Sequence, residues 1–178
     1  MKLQWICCIV FTLFLLASTA LAQAVGSVYW QSNGGGCVPT DETIRNQDYW
    51  TVTGGGRVKY KGNGTKPLVF TCPINSFNYN VSGGDATVLR LFYQDSDGAG
   101  NDFKVQARLL SFNKENGALG KEVCKVTSAQ SGQWAYSIDK CGSIKMNDNL
   151  YWVEVVITRT KPSVTGEFNG VSLEGWIM

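Results

Sequence analysis

Beyond an apolar N-terminal stretch, the chain alternates apolar and polar residues in short runs, and almost every run ends in a glycine- or asparagine-rich cluster. Phe103, Val105, Ala107 and Leu109 alternate with Lys104, Gln106 and Arg108; Leu89, Leu91 and Tyr93 alternate with Val88, Arg90 and Phe92. Tyr151, Val153, Val155 and Ile157 alternate with Trp152, Glu154, Val156 and Thr158, and Trp134, Tyr136 and Ile138 with Gln133, Ala135 and Ser137. A period of two puts successive side chains on opposite sides of a pleated strand, so each run predicts a strand with one buried face. The clusters SNGGG, TGGG, GNGTKP, SGGD and NKENG supply turns between them. Many short strands with no long segment at helical period predict an all-β chain, an antiparallel β-sandwich of jelly-roll type. The one helical segment expected is a turn or two in PTDETIRNQ, starting near Thr40.

The first residues, MKLQWICCIVFTLFLLASTALA, combine one lysine, an apolar run and a small-x-small ending. That pattern predicts a secretory signal peptide over residues 1–22, cut near Ala22, and a single domain over 23–178. No second apolar run follows, so no membrane insertion of the mature chain is expected. The expected location is secreted or periplasmic. Four cysteines then remain, Cys37, Cys72, Cys124 and Cys141, an even number suited to two disulfides in an exported chain. Three pairings are possible. The preferred one is Cys37 with Cys72 and Cys124 with Cys141, because the second closes a short loop and leaves the first to tie an N-terminal segment to a strand. The whole chain carries a formal charge of +2, and Lys2 lies in the predicted signal peptide. So near-neutral a chain has no basic field for nucleic acid.

The segments VYWQSNGGGCVP, LVFTCP and FYQDSDGAGNDFKVQARL, followed by GVSL, resemble those of small exported bacterial proteins of unassigned function, over most of the mature chain. The resemblance implies a β-rich extracytoplasmic fold with Cys37 and Cys72 as partners. It implies no activity.

Chemistry is sparse. In DSDGAGND, Asp95, Asp97 and Asp102 stand among Gly98, Gly100 and Asn101 and could supply oxygens to calcium. The fit to an EF-hand loop is partial, because Ala99 occupies the fifth position and Gln106 the twelfth. A hairpin turn, with aspartates bonding nearby amides, is the preferred expectation, so no cofactor is expected. The chain has no histidine, which removes the commonest general base and the usual activator of a serine or cysteine nucleophile. Glu154 and Glu174 are the carboxylates left for a glycosidase pair, with a solvated strand face as the favoured alternative. The expectation is therefore not an enzyme. If Tyr151, Val153 and Val155 face inward, Trp152 faces outward beside Glu154, and Phe92 shares a face with Arg90. Outward aromatics next to charged groups suit a carbohydrate platform or a protein contact, against ordinary packing under a loop. The expected function is an exported non-catalytic binding or surface module, carbohydrate-binding in one version, with a polysaccharide or envelope protein as partner. The alternative is a structural subunit of an extracellular assembly, with AVGSVYWQSN as a donated strand.

Overall fold

The computed structural model describes residues 28–74, 86–115, 117, 121–142, 144 and 149–176. The predicted signal peptide and the SGGD turn lie outside them.

Among the described residues, eleven strands and one short α-helix follow in chain order: β1 (Val28–Asn33), β2 (Val38–Pro39), α1 (Asp41–Arg45), β3 (Trp50–Val52), β4 (Val58–Tyr60), β5 (Leu68–Pro73), β6 (Ala86–Asp95), β7 (Phe103–Asn113), β8 (Lys121–Thr127), β9 (Gly132–Gly142), β10 (Asn149–Arg159) and β11 (Gly166–Trp176). The first sheet has the order β3-β4-β11-β6-β9, and β1 pairs with β11 as well; the second runs β2-β5-β10-β7-β8. Every strand pair is antiparallel. Set against each other, β4-β11-β6-β9 and β5-β10-β7-β8 are the two sheets of a jelly roll. The expected sandwich is therefore present, and the chain crosses between sheets at nearly every connection.

The alternation explains which face is buried. Leu89, Leu91 and Tyr93 of β6 meet Leu109, Ala107 and Val105 of β7 and Val153, Val155 and Ile157 of β10 in one core, with Phe70, Phe168 and Leu173 added from β5 and β11. Each fully buried aliphatic or aromatic side chain contributes about 1.5–3 kcal/mol relative to exposure. The helix starts where expected: Thr40 is its N-cap, and its side chain accepts from the Thr43 amide. Thr43, itself buried, then exchanges hydrogen bonds with Val69 of β5, which docks α1 on the second sheet.

Both disulfides form as preferred, Cys37–Cys72 and Cys124–Cys141. The first fixes the segment entering β2 to β5. The second joins β8 of one sheet to β9 of the other, and its 17-residue separation corresponds to about 3 kcal/mol in the chain-entropy account. The N-terminal strand pairs with β11 of its own chain, from Val28 opposite Glu174 to Asn33 opposite Gly170.

Two expectations need correction. The Asp95–Asp102 segment is not a hairpin, because β6 and β7 belong to different sheets and the loop arches over the end of the sandwich. In β9 the phase of the pattern is reversed: Ala135 is buried and Ser137 bonds to the core residue Tyr93, while Tyr136 and Ile138 face solvent at 45% and 43% exposure. An edge strand pairs on one side only, and here the small residues fit beneath the neighbouring sheet while the large ones turn away.

Candidate functional site

That reversal leaves a groove of about 640 Å³ where β8, the edge of the second sheet, faces β9, the edge of the first. Its walls include Lys125, Thr127, Gln130, Tyr136, Ile138 and Asp139. The fold positions them in three ways. The Cys124–Cys141 bridge ties the two edges together, and the Lys125 amide donates to Asp139 Oδ2 at 3.4 Å across the gap. The end wall hangs on Tyr93, a fully buried core residue whose phenolic oxygen accepts from the amides of Ala129 and Gln130 at 3.0 Å each. Ser128, buried behind that wall, anchors the same segment to β7, its amide donating to Val105 O at 2.8 Å and its Oγ accepting from the Val105 amide at 3.1 Å.

Behind the groove, Tyr136 is held rather than free. The Arg90 guanidinium carbon lies 4.8 Å from its ring centroid, and Arg90 is itself paired with Glu174 at 2.9 Å. Glu174 also accepts from Ser172 Oγ at 2.7 Å. A cation held over a ring favours that ring orientation by about 0.5–1 kcal/mol at exposed sites. The groove thus combines a restrained aromatic plane, an aliphatic surface, an amide, a hydroxyl, a carboxylate and an ammonium. Those groups can bind a neutral polar ligand by stacking and hydrogen bonding.

The four residues read from the sequence as a binding set do not form one site. Trp152 and Glu154 lie on the outer face of the second sheet, opposite Leu110 and Arg108 of β7. Phe92 and Arg90 lie on the outer face of the first sheet, opposite Tyr136 and Ile138 of β9. The two pairs sit on opposite sides of the sandwich. Trp152 is half-buried between Leu110 and Pro73, and Glu154 is ion-paired with Arg108, whose pKa its hydrogen bond raises. Arg90 and Phe92 therefore back the groove, whereas Trp152 belongs to another surface. The same placement separates Glu154 from Glu174. Their side chains leave the sandwich in opposite directions, with two sheets about 10 Å apart between them, so they cannot flank one glycosidic bond. Tyr136, Gln130 and Asp139 were missed; the signal was present in YSID, where two large apolar residues share the face of a strand that carries neither of its small neighbours.

The aspartates at the arch are occupied by the chain itself. Asp95 is fully buried, and its Oδ1 accepts from the amides of Asp97 and Gly98 at 3.1 Å. Asp97 accepts from the amides of Asp102 and Phe103. Gly98 sits at φ +63, and a side chain at Gly100 would run into the Asp97 carboxylate, so both glycines are required by the turn. Asp102 points elsewhere, to Thr160 Oγ1 at 2.6 Å and Lys161 Nζ at 2.7 Å, and the Lys161 hydrogen bond holds its carboxyl below the usual range. Among the described residues no three acidic, cysteine or histidine side chains are grouped to hold a metal ion. Asp95 and Asp97 thus serve the amides of the turn, and Asp102 serves Thr160 and Lys161.

No family model and no curated protein matches the chain. Similar solved structures include the CBM36-1 domain of a multidomain xylanase from the hindgut metagenome of Trinervitermes trinervoides, at 10% identity and TM-score 0.44, covering 84% of this chain and 98% of that one. Another is the CBM22-1–GH10 xylanase 10B of Clostridium thermocellum complexed with xylohexaose, at 14% identity and TM-score 0.49, covering 85% of this chain but only 28% of that one. A third is a CBM36 module in complex with calcium and xylotriose, at 7% identity and TM-score 0.42, covering 81% and 98%. At such identities no residue's role passes from them to this chain.

Proposed function

We propose that the protein is an exported, non-catalytic carbohydrate-binding module whose site is the β8–β9 groove. The observation that carries this is the outward turn of Tyr136 and Ile138 on an edge strand, beside Gln130, Thr127 and Asp139. Exposed apolar surface rimmed by hydrogen-bonding groups fits a sugar, whose C–H faces are apolar and whose hydroxyls need polar partners. Export is supported by the apolar N-terminal stretch of the sequence and by the two disulfides. No helix among the described residues is long and apolar enough to cross a membrane.

Soluble xylan is the first probe, since two of the similar structures hold xylo-oligosaccharides. In affinity electrophoresis through a xylan gel, followed by a panel of other polysaccharides, the mature chain is expected to be retarded. Tyr136→Ala is expected to weaken retention about tenfold, the order for truncating an aromatic anchor. Trp152→Ala, on the other face, is expected to leave it unchanged. Retardation lost in Trp152→Ala and kept in Tyr136→Ala would move the site to the outer face of the second sheet. Absence of binding to any polysaccharide would defeat the carbohydrate reading.

Calcium has no part in this reading, because the arch carboxylates already serve backbone amides and Lys161. Millimolar calcium is expected to leave the melting temperature of the mature chain where it is in EDTA. A site occupied at 100 times its Kd would instead add about 2.7 kcal/mol, and a rise of that order abolished by Asp97→Asn would show that the arch rearranges around the ion.

A further inference from the structure

Outside the groove, and sharing no lining residue with it, lies a buried cation with no paired anion among the described residues. Arg159, at the end of β10, is 5% exposed, and no carboxylate among the described residues pairs with it. Its Nε donates to Gly64 O at 2.8 Å, its Nη2 to Gly62 O at 2.9 Å and also to Gly64 O, and its Nη1 makes only a 3.4 Å bond to Pro162 O. A guanidinium has five N–H donors, so one on Nη1 is left over. Tyr60 packs against it, 4.5 Å from the guanidinium carbon to the ring centroid, but burial pushes the Tyr60 phenol up, so it stays neutral and cannot balance the charge.

Arg159 also lines a pocket of about 190 Å³ shared with Lys59, Tyr60, Gln94, Thr165 and Glu167. The space corresponds to roughly six waters, enough for one small molecule. Glu167 does not neutralise it, because its carboxylate is already held by Arg57 at 2.8 Å, with Lys59 more distant at 4.0 Å. The pocket thus presents two cations, a hydroxyl and an amide against one committed carboxylate.

We propose that this pocket binds a small carboxylate, with Arg159 and Lys59 supplying the charge and Thr165 and Gln94 flanking hydrogen bonds. A carboxylate between an arginine and a lysine offsets the cost of burying an unpaired cation. Its source is either a free small acid or an acidic sugar, which share this chemistry. The pocket has no residue in common with the groove, so this site stands or falls separately from xylan binding.

The test titrates the mature chain with sodium acetate and with sodium glucuronate, each against sodium chloride at equal ionic strength, reading the NMR resonances of the Gln94 side-chain amide and the Arg159 Nε–H. Saturable shifts beyond those with chloride are expected. Lys59→Met is expected to weaken binding about three- to fivefold while leaving xylan retention unchanged. Arg159→Lys, if it folds, is expected to abolish binding. Equal affinities for the two acids would assign the site to free carboxylates; tighter glucuronate binding would assign it to an acidic sugar. Shifts no larger than those with chloride, or an affinity unchanged in Lys59→Met, would overturn the proposal.

Discussion

Arg159→Met is expected to lower the free energy of unfolding by about 3 kcal/mol, measured by chemical denaturation at neutral pH. Burial holds this guanidinium below its usual pKa range, yet arginine stays charged in any accessible environment, so the fold carries a desolvated cation. It does so because the loop between β4 and β5 and the turn after β10 bring the carbonyls of Gly62, Gly64 and Pro162 together around it. Methionine relieves the desolvation but strands the buried carbonyl of Gly64 and removes the contact with Tyr60. An unsatisfied buried acceptor alone costs about 1–3 kcal/mol. Arg159→Lys is expected to recover only part of the loss, since a single ammonium cannot hold the carbonyls in the geometry of the planar fork. A loss under about 1 kcal/mol in Arg159→Met would mean that water replaces the guanidinium at those carbonyls.

Asp95→Asn is expected to do the opposite at neutral pH and raise stability by about 2 kcal/mol. Asp95 is fully buried; burial first, and the neighbouring Asp97 carboxyl second, push it up to about 6. Its Oδ2 is buried without a hydrogen-bond partner, and the nearby Ser128 hydroxyl offsets only part of the rise. Protonated, the Asp95 carboxyl donates to the Asp97 carboxyl, which is why that neighbour raises it. With the folded pKa above the unfolded value of about 3.9, the unfolded chain releases this proton first as pH rises. The contribution is therefore complete below about pH 4 and is lost as pH climbs through about 6. The full shift is worth up to about 3 kcal/mol, and sharing of the proton with Asp97 brings the expected gain lower. Asparagine places a neutral donor where the proton sat, so the variant is expected to lack the decline between about pH 4 and 6 expected of the natural chain. A variant that keeps that decline would assign it to another carboxyl, and one less stable at pH 7 would show that Asp95 is better accommodated ionised.

The strands were readable because the pleat imposes its period locally. At 103–109 and 151–157 the apolar set named by alternation is the buried set, and Thr40 caps the helix where its side chain predicted. The cysteine pairing was readable from spacing, because a 17-residue separation can close over one turn between adjacent edges. The site was not readable in the same way. Alternation fixes which residues of a strand share a face, but not which face meets the other sheet. In β9 that phase was decided by Tyr93 and the neighbouring edge β8, far away in sequence, and the result put Tyr136 and Ile138 outside. Likewise Trp152 and Phe92 carry the same local pattern yet face away from each other, because β10 and β6 were assigned to different sheets. Arg159 ends a strand with no motif around it, and its burial exists only because two connections close over it. The sequence by itself determined the all-β period, the turns, the helix cap and the supply of two disulfides, which depend on near neighbours. Only the tertiary structure decided the phase of the edge strand, the partners of the charged groups and the two pockets, because these depend on which distant strands pack together.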